Sequence, residues 1–288
     1  MKYAVTGASG FIGCHLVDYL KQKGDVATLD RKHPSFIDIA NCKNNTKILK
    51  TLEGVDCVFH LAAETSVPRS IENPLCYNYN NVNGTVNMLT LSKEAGVRRF
   101  VFSSTAAVYG DVNKTVLSED DPVSTLSPYG LQKSVGEQYC ELYSKIYGIE
   151  TVSLRYFNVF GEGMPTAGSY CSLIGSFIKR AENKEPLLIY GDGTQSRDFI
   201  YVKDVVSANW AASQSDKVGK GESINIGTGE GTSVNQIAET FNLPCDFLPK
   251  RLEPLVSVCD NTKAKSLLKW QPSVKVINWL NENIHSRT

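Results

Sequence analysis

The sequence lacks an excess of charge of either sign: Lys and Arg together number 30, as do Asp and Glu, in 288 residues. A zero balance argues against a general nucleic-acid binder and leaves room for a local anion pocket. There is no CxxC pair, and the eight cysteines at 14, 42, 57, 76, 140, 171, 245 and 259 are scattered. The four histidines stand far apart, none beside a cysteine at ligand spacing, so no metal site is expected. No apolar run approaches the about 18 residues of a membrane helix, so no membrane span is expected. No secretory leader pattern is present, and reduced, buried thiols in the cytoplasm are the expected state. Repeats and low-complexity linkers are also missing. The length suits one large α/β unit or two lobes.

What is present starts at the first residues. Lys2–Thr6 reads as a strand, followed at once by Gly7-Ala8-Ser9-Gly10-Phe11-Ile12-Gly13. Leu16, Val17 and Leu20 then keep helical spacing, and Val26–Leu29 forms a second strand closed by Asp30. Glycines in such a loop allow a tight turn, close approach of a pyrophosphate, and packing of helix on strand. The helix N-terminus offers N–H groups and positive dipole to phosphates. Asp30 stands 23 residues after Gly7, where an acid accepts both ribose hydroxyls of adenosine. The same carboxylate repels a 2′-phosphate, which favours NAD over NADP; the cations Arg31 and Lys32 beside it pull the other way.

A second stretch carries proton chemistry. Ser127 is a good N-cap and Pro128 suits the first helical position. Leu131, Val135, Tyr139, Leu142 and Ile146 continue as an apolar stripe. Tyr129 and Lys133 are then one turn apart on one face. A cation at that range is expected to lower the phenol pKa from about 10, readying it to exchange a proton with a sugar hydroxyl. By itself this spacing is weak, since Tyr and Lys four apart occur in many helices.

The glycine spacing GxxGxxG, with Tyr129 and Lys133, resembles the short-chain dehydrogenase/reductase superfamily, in its extended branch of nucleotide-sugar epimerases and dehydratases. The resemblance covers nearly the whole chain. It implies NAD held by Gly7, Gly10, Phe11, Ile12, Gly13, Asp30 and Arg31, with Asp38 and Ile39 at the adenine. Leu61, Ala62, Ala63, Ser103 and Tyr156 would line the cofactor, and Tyr129 and Lys133 would touch it. The interval from Asp30 to Asp38 is short for the family, so a strand is expected to be lost or abbreviated there.

The catalytic set implied is Tyr129, Lys133 and Thr105, the third hydroxyl after Phe102. Dehydratases of the family carry an Asp-Glu pair next; this chain has Ala106-Ala107, which cannot do that proton work. For the substrate, Thr105 and Tyr129 would meet the sugar, Asn158 a phosphate, and Tyr170 the nucleotide, from a helix opening at Gly168-Ser169-Tyr170 and running through Ile178. Gly191–Val202 resembles the family's GDGxxxRDFxxVxD, so Arg197 would bind the diphosphate. Arg251, beside Lys250, would be the second phosphate ligand. Ser257 is small where an aromatic closes the pocket in similar 4-epimerases, which implies room for an N-acetyl group. Asn81 would be a structural polar bridge, and Arg155 a structural ion pair.

The resemblance further implies an α/β fold: a doubly wound parallel sheet, the Rossmann arrangement, with a smaller C-terminal α/β substrate lobe. Residues 1–161 would bind NAD, with 198–226 returning to that domain; 162–197 and 227–288 would form the substrate lobe. Leu75, Tyr79, Val82, Val86 and Leu89, leading on from Val67-Pro68-Arg69-Ser70, read as a helix that would pair with the Tyr129 helix and their copies in a four-helix homodimer interface. The expected activity is NAD-dependent 4-epimerisation of UDP-hexoses, including N-acetylated ones. The alternatives are a uronate 4-epimerase, dehydratase or reductase, or a non-catalytic NAD-sensing binding protein.

Overall fold

The computed structural model describes residues 1–32, 34–112, 114–168, 170–250 and 255–284. Among them the strands are β1 Lys2–Thr6, β2 Asp25–Leu29, β3 Cys57–His60, β4 Arg99–Thr105, β5 Val116–Leu117, β6 Glu150–Tyr156, β7 Asn158–Phe160, β8 Leu187–Tyr190, β9 Ser196–Tyr201, β10 Lys220–Ile226, β11 Gly231–Ser233, β12 Cys245–Leu248 and β13 Val256–Cys259. The helices are α1 Phe11–Leu20, α2 Asn45–Leu52, α3 Val67–Glu72, α4 Pro74–Asn78, α5 Gly84–Glu94, α6 Pro128–Tyr147, α7 Leu173–Glu182, α8 Val202–Gln214, α9 Val234–Glu239, α10 Thr262–Leu268 and α11 Val276–Ile284.

Successive strand residues point to opposite faces, and here both faces are apolar. Val5, Phe59 and Val101 pack with Leu16 of α1, Val205 of α8 and Ala264 of α10. Their neighbours Ala4, Val58, Phe100 and Phe102 pack with Ile48 of α2, Met88 of α5 and Cys140 of α6. A strand buried on both sides needs helices on both sides, which parallel crossovers supply. The result is a six-stranded parallel sheet in the order β10-β6-β4-β3-β1-β2. The chain moves out to β2 and then crosses to β3, so the order reverses between β1 and β3. Crevices for ligands open there, beyond the carboxyl ends of the strands. Among the described residues no strand lies between β2 and β3, in keeping with the short interval after Asp30.

A second, mixed sheet runs β11-β9-β13-β5, with β7 also on β9, and β8 pairs β12. Its core joins Phe160, Phe177, Ile189 and Phe199 to Trp279 and Leu280 of α11. Because β9 pairs within this sheet, the return to the first sheet runs through α8 and β10.

One helix carries a π turn that the sequence pattern does not give, and another starts later than expected. The helix expected through Leu75 and Leu89 is present, running from Pro74 to Glu94 with a π turn at Tyr79–Asn83; Asn73 before Pro74, at φ −132° and ψ 59°, separates it from α3. A residue before proline is pushed out of the helical region, and proline removes a donor. The helix expected from Gly168 starts at Leu173, because the Ser172 side chain accepts from the Gly175 N–H and caps it there.

Helix α6 begins as its cap predicts, with Ser127 accepting from the Gly130 N–H, and ends at left-handed Gly148 (φ 72°). Its buried face is the one bearing Tyr129, Lys133 and Glu137. Gly136 is needed on that face, since a Cβ there would lie 2.5 Å from the Phe102 ring. The apolar stripe points outward: Leu131, Leu142 and Ile146 are 54%, 46% and 60% exposed.

Candidate active site

The loop after β1 is shaped by its glycines. Gly7 has φ +67°, and a Cβ on it would sit 2.8 Å from the Ala62 nitrogen. A Cβ on Gly13 would sit 2.1 Å from the Gly7 carbonyl oxygen, so the first turn of α1 lies directly on the loop. Asp30 ends β2, and its carboxylate accepts from the Ser9 and Lys32 N–H groups, both at 2.9 Å. That leaves lone pairs for further donors. Leu61, Ala62 and Ala63 continue from β3, with the Ala62 N–H on the Thr6 hydroxyl at 3.1 Å. Behind them His60 is fully buried between the hydroxyls of Thr6 (2.9 Å) and Thr85 (3.0 Å). Burial pulls its pKa down to about 3, so the ring is neutral. Asp38 turns its carboxylate to the Ala40 N–H at 3.0 Å, and Ile39 is buried beside it.

Across the cleft, β4 ends in Ser103, Ser104 and Thr105, and α6 lies along it. Tyr129 and Thr105 line the same cleft wall, close enough for the threonine side chain to pull on the phenol, and Lys133 Nζ donates to the Ser103 carbonyl at 2.7 Å. One turn on, Glu137 accepts from the Ser104 hydroxyl at 2.5 Å and from both arms of Arg155 at 2.9 and 2.7 Å. Arg155 also donates to the Tyr109 hydroxyl at 2.9 Å. These links pin α6 to the strand end and make Arg155 a structural ion pair.

The expected acidification of the phenol is overturned. Burial pushes the Tyr129 pKa up to about 12, against the opposing pull of the Thr105 side chain. Lys133 is itself pulled down to about 8, by burial first. Desolvation disfavours the charged form of each, and for the phenol it outweighs any neighbouring cation.

The substrate side comes from the second sheet and its loops. Asn158 Nδ2 donates to the Asp198 carbonyl at 2.9 Å, and Arg197 Nη1 to the Ser196 carbonyl at 2.8 Å. Ser257 pairs in register with Arg197. The Tyr156 hydroxyl donates to Asn209 at 2.9 Å, leaving its ring toward the cleft. Tyr170 donates its hydroxyl to the Glu64 carboxylate. Arg251 lies outside the described residues. Every other residue expected at the site, from Gly7, Gly10, Phe11, Ile12 and Gly13 to Arg197 and Ser257, lines one cleft of about 1590 Å³. Ala106 and Ala107 line it beside Thr105.

Glu64 and Asn80 also line this cleft and were not foreseen. Glu64 takes Arg31 Nη2 at 2.6 Å, and Asn80 takes Arg31 Nη1 at 3.1 Å. A charged residue straight after the apolar run Val58–Ala63 was the available signal. Asn81 bridges as expected: it accepts from the Glu64 N–H at 2.8 Å and donates to the Glu64 carbonyl at 2.9 Å and to Gln132 at 3.0 Å.

Residues 3–227 match the model of the NAD dependent epimerase/dehydratase family. The chain belongs to that family. Among its relatives, a putative UDP-glucose 4-epimerase of Methanocaldococcus jannaschii is 37% identical, over 97% of this chain and 98% of that protein. A solved UDP-glucose 4-epimerase of Thermotoga maritima, bound to UDP-glucose, superimposes with a TM-score of 0.92 at 33% identity, covering 99% of this chain and 98% of the other. A UDP-N-acetylglucosamine 4-epimerase of Methanobrevibacter ruminantium, in complex with UDP-N-acetylmuramic acid, gives 0.91 at 32%, covering 99% and 97%. NAD is the family's cofactor, and this cleft suits it. The space a Cβ would fill at Gly7 and Gly13 is closed to side chains, α1 points its N-terminus at the loop, and Asp30 stands where ribose hydroxyls are accepted.

Proposed function

We infer that this protein is an NAD-dependent 4-epimerase acting on UDP-hexoses, N-acetylated ones included. The observation that carries the reading is that Tyr129, Lys133 and Thr105 line one cleft at the strand end, with Ala106 and Ala107 next in line. One phenol is available there for one sugar hydroxyl, and Ala106 and Ala107 offer no carboxylate to assist loss of water. Bound NAD supplies hydride acceptance and return at the sugar C4.

The chain's own part is proton handling and positioning. With NAD bound, Lys133 together with the positive nicotinamide would favour the ionised phenol; Tyr129 then takes the 4-OH proton, through or beside the Thr105 hydroxyl, and gives it back to the epimeric oxygen. Lys133 brings a cation to the nicotinamide ribose. Asn158 and Arg197 hold the diphosphate, with Arg251 as the second basic ligand, and Tyr170 frames the nucleotide. The 4-keto sugar must turn over between the two half-reactions, and a wide cleft makes room for that. Ser257 leaves space at the C2 substituent. Residues 1–161 with the returning α8 and β10 act as the dinucleotide half, and the later segments as the substrate half.

The exposed stripe of Leu131, Leu142 and Ile146 on α6, with Leu75 and Tyr79 also exposed on the adjoining segment, supports a homodimer built on a four-helix contact. Among the described residues no helix is long and apolar enough to cross a membrane. All eight cysteines are free thiols, which supports a cytoplasmic setting.

The test is a panel of UDP-Glc, UDP-Gal, UDP-GlcNAc, UDP-GalNAc and UDP-glucuronate with product analysis by NMR. Inversion at C4 without net reduction of NAD is expected for the hexoses. A dehydrated product, or turnover of the uronate alone, would reject the reading.

A further inference from the structure

Arg31 directly follows Asp30, at the edge of the region where adenosine ribose is bound in this fold. A guanidinium there is the group that pairs with a 2′-phosphate in NADP enzymes. In this chain its fork is already taken. Nη2 meets Glu64 Oε1 at 2.6 Å, and Nη1 meets Asn80 Oδ1 at 3.1 Å. Glu64 comes from the loop after β3, on the far side of β1 from Asp30. Its second oxygen receives the Tyr170 hydroxyl, so it is held from two directions. Burial works to raise the Glu64 pKa, but the Tyr170 bond and the Arg31 cation outweigh it and bring it below the usual carboxylate range. The acid therefore stays ionised and Arg31 stays paired.

We propose that Glu64 is a cofactor-specificity residue: by holding Arg31 it denies a 2′-phosphate its cationic partner, and so completes the NADP exclusion that Asp30 begins. Asp30 alone stands beside two cations in sequence, and Lys32 gives it only a main-chain N–H. Without the Glu64 contact, Asn80 alone would hold the Arg31 guanidinium, and its charge and Nη2 would be open to a phosphate in the same cleft, next to the ribose site. The inference rests on reading this cleft as the dinucleotide site. Glu64 can be changed without undoing its loop, because Asn81 holds the Glu64 main chain from both sides.

The experiment is competition of NADP against labelled NAD at equilibrium on the purified full chain. It compares wild type, Glu64→Ala, Arg31→Ala and the double variant, which together form a thermodynamic cycle. Wild type should strongly prefer NAD. Glu64→Ala should raise relative NADP affinity by about tenfold or more, as expected when a phosphate gains a charge-assisted partner. In the Arg31→Ala background the same Glu64 change should have no effect on the ratio. A merely structural role for Glu64 would weaken both dinucleotides alike and leave the ratio unmoved. A Glu64→Ala ratio within about threefold of wild type overturns the proposal, and so does an equal rise in the double variant. If wild type binds neither dinucleotide, the reading of the cleft fails instead.

Discussion

The Lys133 ammonium is bonded to the Ser103 carbonyl at 2.7 Å, two strand residues before the threonine that shares the cleft wall with the Tyr129 phenol. The cation and the phenol therefore hold adjacent parts of one strand end. Lys133 fixes where α6 sits on β4, and that placement delivers the phenol to Thr105.

Replacing Tyr129 by Phe removes the proton acceptor and keeps the ring. We expect C4 epimerisation to fall by about 10²- to 10⁴-fold, the range for loss of a general acid–base group. The thermal midpoint should hardly move, since the phenol lies at the cleft wall and the ring is kept. Wild-type turnover in Tyr129→Phe, read by NMR of the products, would remove the phenol from the mechanism.

Lys133 is buried with its pKa lowered to about 8, against a reference near 10.4 in the unfolded chain. Between those values the unfolded state binds the proton and the folded state does not, so stability from this group rises with pH. Below about pH 8 both states are protonated, and the cost of the buried cation is carried in full. Urea unfolding at pH 7.5 and pH 9.5, compared with Lys133→Met, should show wild type gaining roughly 2 kcal/mol on the variant. An unchanged difference, or one of opposite sign, contradicts the assignment.

Ser257 faces the cleft on β13, in register with Arg197. Ser257→Tyr should depress turnover of UDP-GlcNAc far more than that of UDP-Glc, because only the former carries bulk at C2. We expect the ratio of their kcat/KM values to drop by about tenfold or more, a steric exclusion of over 1 kcal/mol. An unaltered ratio would show that this side chain does not gate the C2 substituent.

The outward stripe on α6 can be tested apart from catalysis. Leu131→Glu together with Ile146→Glu places charge on two positions that are half exposed or more in the single chain. Sedimentation velocity should find wild type as a dimer and the double variant as a monomer. A dimeric variant would point the interface elsewhere.

Much of the first sheet was legible because its signals are local. Gly7 and Gly13 mark positions where the loop and the first turn of α1 leave no room for a Cβ, and the strand–helix–strand spacing around them needs no distant partner. Ser127 and Pro128 set the start of α6 for the same reason. The boundary between α3 and the next helix at Asn73-Pro74 is likewise a local signal, while the π turn at Tyr79–Asn83 is not announced by the regular spacing of Leu75 through Leu89. Apolar periodicity reports that a face is covered, without saying by what: on α6 the apolar stripe lies outward, while polar Tyr129, Lys133 and Glu137 face the strand end.

The sequence by itself determined the nucleotide loop, the acid after β2 and which helix carries the Tyr–Lys pair. These follow from backbone freedom, caps and periodicity over a few residues. Only the tertiary structure decided what the charges do. Arg31 is paired by a carboxylate 33 positions away, Lys133 is spent on a main-chain carbonyl, and burial moves the phenol opposite to what its neighbour's charge suggests. Desolvation and long-range pairing depend on which surfaces meet, and spacing along the chain does not encode that.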